Sequence, residues 1–129
     1  MIALDVMPGL YAICRLDAGA AVPLWATRRG FSSITRTDDE LSIVCAADDV
    51  PDAVFAQRGY RGLAVRGPLD FGLVGIVASL AGALAAAAIS IFVVSTHDTD
   101  YVFVRDANLD RAVAVLRAAG HSVTDAGTS

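Results

Sequence analysis

The chain has 129 residues, enough for one compact domain or two very small ones fused. With 55% hydrophobic and 19% charged residues it is excluded from the disordered class. Its net charge of −4, with arginine supplying all ten cations, argues against a broad nucleic-acid surface.

Residues 1–5 carry neither the basic region nor the apolar core of a secretion signal. The two cysteines, Cys14 and Cys45, make no disulfide framework or metal site, so a reducing, cytoplasmic setting is expected. Residues 10–16 place Leu10, Ala12, Cys14 and Leu16 on one face, as a strand does. Residues 17–30 read as loop, with a single helical turn at 23–27 anchored by Trp25. Arg28 and Arg29 read most simply as a solvated face, with an anion contact as the weaker alternative. Residues 31–36 and 41–45 form a hairpin whose turn, 37–40, holds aspartates able to bond their own backbone. Leu41, Ile43 and Cys45 then face the core, and the two thiols are expected as buried apolar groups on neighbouring strands. The acidic run Asp48, Asp49 and Asp52 suits a turn or short helix start. No further carboxylate follows at calcium-loop spacing, so no metal is expected there.

Residues 60–66 read as another strand, ended by Gly67 and Pro68. The 25 residues 71–95 are uncharged and long enough to cross a bilayer, yet they change type partway. Residues 72–88 are rich in Ala, Gly and Leu and suit a helix of about 18 residues, ~27 Å long. Residues 89–95 are β-branched and aromatic and suit a strand. The helix has a bulky stripe (Leu73, Ile76, Val77, Leu80, Leu84, Ala87) opposite a small face (Gly72, Gly75, Ser79, Gly82, Ala83, Ala86). No cationic cluster or aromatic belt flanks it, so a soluble helix packed on a sheet is expected rather than a membrane span. Asp70 stands where an N-cap or first-turn carboxylate would complement the helix dipole.

Residues 100–105 form a strand that pairs with 89–95 across the turn 96–99. Residues 106–118 make a second helix that Gly120 is placed to cap, and residues 121–124 make a short last strand. From residue 60 the order is strand, helix, strand, strand, helix, strand, a ferredoxin-like βαββαβ arrangement of the α+β class. The earlier residues look like an abbreviated copy of the same plan. The division expected is therefore a tandem, with an abbreviated unit at 1–58 and a complete one at 59–125. No Gly-rich phosphate loop, nucleophile elbow or zinc signature occurs, so no cofactor or catalysis is expected. His97 beside Asp98 is a weak acid–base candidate, because adjacent strand residues point apart.

The plan of residues 60–124 resembles an ACT domain, a small regulatory fold that binds amino acids. The Gly-Pro-Leu-Asp-Phe stretch at 67–71 and the Ser-Thr-His-Asp-Thr-Asp stretch at 95–100 resemble the branch of bacterial paired-ACT proteins and the CASTOR arginine sensors. The segment Ser-Ile-Thr-Arg-Thr-Asp-Asp-Glu-Leu-Ser-Ile-Val-Cys at 33–45 is similar to the same bacterial proteins. That resemblance implies units that associate side by side, often in a homodimer, with an amino acid held at a seam between units. It implies one wall from residues 67–72, with Pro68, Leu69, Asp70, Phe71 and Gly72, and a second from Ser95, Thr96, His97 and Asp100. Asp100 would meet the ligand's cationic group. His97 stands where the sensors carry an aromatic residue, so arginine is not implied as the ligand. The partners implied are a small molecule and a second copy, with no nucleic acid and no membrane. A solvated hairpin turn is the plainer reading of Asp98 and Asp100.

Overall fold

The computed structural model describes residues 1–67 and 75–125. In chain order these form β1 (Ala3–Val6), β2 (Tyr11–Leu16), a 3-10 turn (Leu24–Thr27), β3 (Ser33–Arg36) and β4 (Leu41–Ala46). A second 3-10 turn (Ala47–Asp49), β5 (Ala56–Val65), α1 (Ile76–Ala86), β6 (Phe92–Ser95) and β7 (Asp100–Arg105) follow, and then a third 3-10 turn (Asp106–Asn108), α2 (Leu109–Ala118) and β8 (Ser122–Thr124). The residues cluster into two compact units, one of Met1–Pro8 with Arg61–Ser129 and the other of Gly9–Tyr60.

In the first unit β6 pairs with β7, β7 with β5, β5 with β1, and β1 with β8. The order β5, α1, β6, β7, α2, β8 is the α+β, ferredoxin-like βαββαβ plan. It carries one addition. Strand β1, which the sequence alone leaves without an element, is antiparallel to β5 and parallel to β8. Four residues are too few for a periodicity to declare itself, and the partners of Leu4, Val65 and Val123, lie far along the chain.

Alternation sends Leu4, Val6, Leu63, Val65, Val102, Val104 and Val123 to one face of these strands, where Leu80 and Leu84 of α1 and Ala112 and Leu116 of α2 pack on them. Each such Leu or Val contributes about 1.5–3 kcal/mol through burial, before the entropy of ordering is subtracted. Phe103 points the other way and is also fully buried. Gly62 lies close beneath it, where a Cβ would stand 2.7 Å from Met7 Sδ and 3.0 Å from Phe103 Cε1.

Both helices end in the same hydrogen-bonded motif. In α1 the Ala88 N–H donates to Ala85 O and the Ile89 N–H to Leu84 O. In α2 the Gly120 N–H donates to Arg117 O and the His121 N–H to Leu116 O. The motif needs a left-handed residue just past the helix. Gly120 supplies it at φ +94°, whereas α1 forces it on Ala88 at φ +59°. This stop ends α1 short of the expected residue 88 and turns Ile89 into the core, so the next strand begins at Phe92 instead of residue 89. At the other end Gly75 is left-handed, at φ +82°, and not helical, so the helix starts at Ile76 and not at 72. Residues 72–74 of the expected helix lie outside the described residues.

The second unit has strands in the order β3-β4-β2-β5. Leu41, Ile43 and Cys45 of β4 face Ala12 and Cys14 of β2 in a small core that also takes Ala26 and Val50. Trp25 lies half-buried against it. Between β2 and β5 the register shifts, since Tyr11 pairs with Tyr60 but Ile13 with Gln57. Gly59, at φ +81°, sits in the extra step, the glycine position of a bulge.

Two outcomes follow for stability. Ala88→Gly relieves the left-handed alanine and raises unfolding free energy by about 1 kcal/mol in chemical denaturation. Gly62→Ala overpacks the Phe103 face and lowers it by about 1–3 kcal/mol in the same assay.

Candidate functional site

The turn joining β6 to β7 is built from its own side chains. Ser95 and Asp100 oppose each other in the register, and Ser95 Oγ donates to Asp100 Oδ1 at 2.5 Å. The Thr96 N–H donates to Thr99 O at 2.8 Å. Thr96 Oγ1 donates to the same carbonyl at 3.2 Å and accepts from the Thr99 N–H at 3.4 Å. His97 and Asp98 form the exposed tip, with Nδ1 3.0 Å from Oδ1.

The turn is attached to the end of β5, where Thr99 Oγ1 donates to Val65 O at 2.6 Å. The next residue fixes that strand end. The Arg66 N–H donates to Ala3 O at 2.8 Å. Its guanidinium grips Asp5 at 2.7 and 3.0 Å and Thr124 Oγ1 at 3.0 Å. The hydrogen bonds from Arg66 hold the Asp5 carboxyl below the usual carboxylate range, against the opposing effect of desolvation.

Ser95, Thr96, His97 and Asp100, named from the sequence, thus fall in one turn. Pro68, Leu69, Asp70, Phe71 and Gly72, the other predicted wall, lie outside the described residues. Thr99 is the residue that sequence reasoning missed. Its partner is a main-chain carbonyl 34 residues earlier, and no local pattern signals such a bond. Chemically, the turn offers a carboxylate oriented by a serine and hydroxyls close to it. That suits the ammonium of a small ligand through charge-assisted hydrogen bonds.

Other clusters have plainer roles. Ser79 Oγ lies 3.4 Å from His121 Nε2, but the Ile2 N–H donates to Nδ1 at 3.2 Å. A neutral ring that accepts at Nδ1 carries its proton on Nε2, so it has no lone pair there to activate Ser79. Cys14 and Cys45 are buried on β2 and β4 as expected, and both are free thiols. The bond to Cys14 and desolvation push the Cys45 thiol up. A surface groove of about 260 Å3 runs along α2, lined by Leu109, Val113 and Arg117 among others, and includes none of the predicted site residues. Among the described residues no cluster of three or more His, Cys, Asp or Glu side chains could hold a metal ion. No described helix is long and apolar enough to cross a membrane.

Arg29 is not simply solvated, as its sequence context suggested. Its Nε and Nη2 donate to the two oxygens of Asp49 at 2.9 and 2.7 Å. The Asp49 side chain is 3% exposed. That guanidinium holds the Asp49 carboxyl below its ordinary range, and the pair ties the loop after the first 3-10 turn to the second.

The fold and turn define a ferredoxin-like α+β module with a hydrogen-bonded hairpin turn at one strand end. An ACT-domain family model matches residues 55–118, and a second family model, of an N-terminal domain, matches residues 9–53. The crystal structure of protein Atu0741 from Agobacterium tumefaciens is 45% identical, with 96% of this chain and 92% of that one covered and a TM-score of 0.91. A Vibrio cholerae protein of unknown function, described as a possible transport protein, is 21% identical over 92% of this chain and 89% of its own, with a TM-score of 0.75. The ligand-free regulatory subunit of aspartate kinase from Thermus thermophilus shares the fold at 10% identity, covering 90% of this chain and 95% of its own, with a TM-score of 0.61. No curated protein matches the chain. The chain belongs to the ACT-domain family.

Both Asp5 and Asp49 titrate lower in the folded chain than an unpaired carboxyl does. Their stabilisation is therefore complete above about pH 4, the unfolded range, and is lost as pH falls through the depressed folded values. In denaturation midpoints measured from pH 7 to pH 2, Asp49→Asn starts below the unsubstituted protein. It loses less on acidification, so the two curves converge at low pH.

Proposed function

We propose that this ACT-domain protein is a non-catalytic regulatory module that binds a free amino acid at the turn 95–100 against the end of β5. The observation that carries this reading is the turn itself, in which Ser95 orients the Asp100 carboxylate and Thr99 holds the loop to Val65. Asp100 takes the ligand's ammonium. Ser95 and Thr96 add neutral contacts, and the family resemblance assigns a second set of contacts to residues 68–72, which lie outside the described residues. The resemblance to paired-ACT and CASTOR-like proteins supports the ligand class, and His97 makes the side-chain preference this chain's own. The shared fold with an aspartate kinase regulatory subunit supports regulation over chemistry. So does the Ser79–His121 pair, whose tautomer is wrong for a general base.

On this reading the chain carries two ACT-like units divided near residue 59, the first abbreviated. Residues 1–8 cluster with the unit that begins at Arg61. It works in the cytoplasm as a homodimer, with neither nucleic acid nor membrane as partner. The exposed, uncharged face of α1 at Ala78, Ser79, Gly82, Ala85 and Ala86 is the surface offered to a second copy. That same face favours a second reading, an assembly module that binds no small ligand.

A thermal-melt screen of dialysed protein against the twenty amino acids separates the two. Binding at a hundredfold excess over Kd stabilises the native state by about 2.7 kcal/mol and raises the midpoint visibly. Asp100→Asn removes a charged hydrogen-bond acceptor and should weaken binding ten- to a hundredfold, about 1.5–3 kcal/mol, while the unliganded melt persists. No shift with any amino acid points to the assembly module, and wild-type affinity in Asp100→Asn places the site elsewhere.

A further inference from the structure

We infer that Thr99 is the positioning residue of this site, its hydroxyl setting where the ligand-binding turn stands against the end of β5. The inference rests on the amino-acid-binding reading and adds a residue that neither sequence nor family resemblance assigns.

Two sets of bonds act on the turn and do different things. Ser95 to Asp100, and Thr96 to Thr99, close the loop on itself and define its internal shape. Neither says where the loop lies relative to the strand beside it. The bond from Thr99 Oγ1 to Val65 O does, at 2.6 Å and half-buried. Its acceptor belongs to a strand end that cannot drift. Arg66, one residue on, is held through its backbone to Ala3, and through its side chain to Asp5 and Thr124. Beyond the backbone pairing of β7 with β5, the turn itself is thus tied to an anchored point by one side-chain hydroxyl.

The consequence is geometric. Asp100 is covalently next to Thr99 and opens β7, so the Thr99 tie acts together with the strand pairing and the Ser95 bond in setting where its carboxylate stands. A cation held by charge-assisted hydrogen bonds is sensitive to that position, because such bonds are short and directional. Thr99 needs no contact with the ligand for this, only the bond to Val65.

Thr99→Val keeps the branched shape and removes the donor. Thr99→Ser keeps the donor and removes a methyl group. Calorimetric titration with the amino acid found in the melt screen should show Thr99→Val binding at least tenfold more weakly, and Thr99→Ser within about threefold of the unsubstituted protein. Hydrogen exchange on the ligand-free proteins should show faster exchange of the 96–100 amides in Thr99→Val alone, with the β1 and β5 amides unchanged. Equal affinity in Thr99→Val, with binding intact in the unsubstituted protein, overturns this inference and leaves the amino-acid reading standing. Binding weakened equally in Thr99→Ser also overturns it, since the methyl and not the hydroxyl would then matter. If the unsubstituted protein binds no amino acid, the functional reading itself falls and takes this inference with it.

Discussion

Between β5 and β8 stands β1, four residues long, and the pairing of the larger unit runs through it. It hydrogen-bonds on both sides, antiparallel to one neighbour and parallel to the other. A strand so short has little cohesion of its own, and two devices hold it. Leu4 and Val6 are essentially unexposed in the core, and the Arg66 guanidinium spans from Asp5 on β1 to Thr124 on β8. That clasp is where structure and proposed function meet. The residue that binds the strands together follows directly on the carbonyl from which the hairpin turn hangs.

The helices show how packing overrides local preference. The run of Ala, Gly and Leu could carry the helix on to residue 88 on propensity alone. The helix instead stops at Ala86, with Ala88 in a backbone conformation that alanine disfavours and glycine would accept. What compensates is the delivery of Ile89 into the core, 4% exposed, just past the stop. Arg111 of α2 adds a bond of 2.6 Å to the Ala87 carbonyl, satisfying an acceptor that the helix end leaves open. At the end of α2 the same geometry costs nothing, because Gly120 is there.

Charge is used sparingly and mostly for architecture. Arg29 binds Asp49, Arg66 binds Asp5, and the Arg58 guanidinium donates to the carbonyls of Val50, Pro51 and Val54. The forked guanidinium suits these tasks, since one side chain can satisfy several acceptors in fixed geometry. In the absence of lysine, arginine takes every such role. Asp100 differs in kind. Its partner among the described residues is the neutral hydroxyl of Ser95, so that contact orients the carboxylate without an ion pair.

Most of the fold is legible in the residues themselves. The alternation of β2 and β4, the aspartate-rich turn between β3 and β4, the second hairpin and the glycine after α2 are local signals, each carried within a few residues of the feature it specifies. That Ser95, Thr96, His97 and Asp100 share one turn was legible for the same reason, since neighbouring residues carry it. What only tertiary structure decided is non-local. It placed β1 between two strands distant from it in sequence, paired Arg29 with Asp49, and set Gly62 close under an aromatic ring from β7. It also set Thr99 against Val65. Periodicity and turn chemistry act over neighbouring residues and so can be read in order, whereas a side chain's partner across the fold is chosen by where the packed strands happen to bring it.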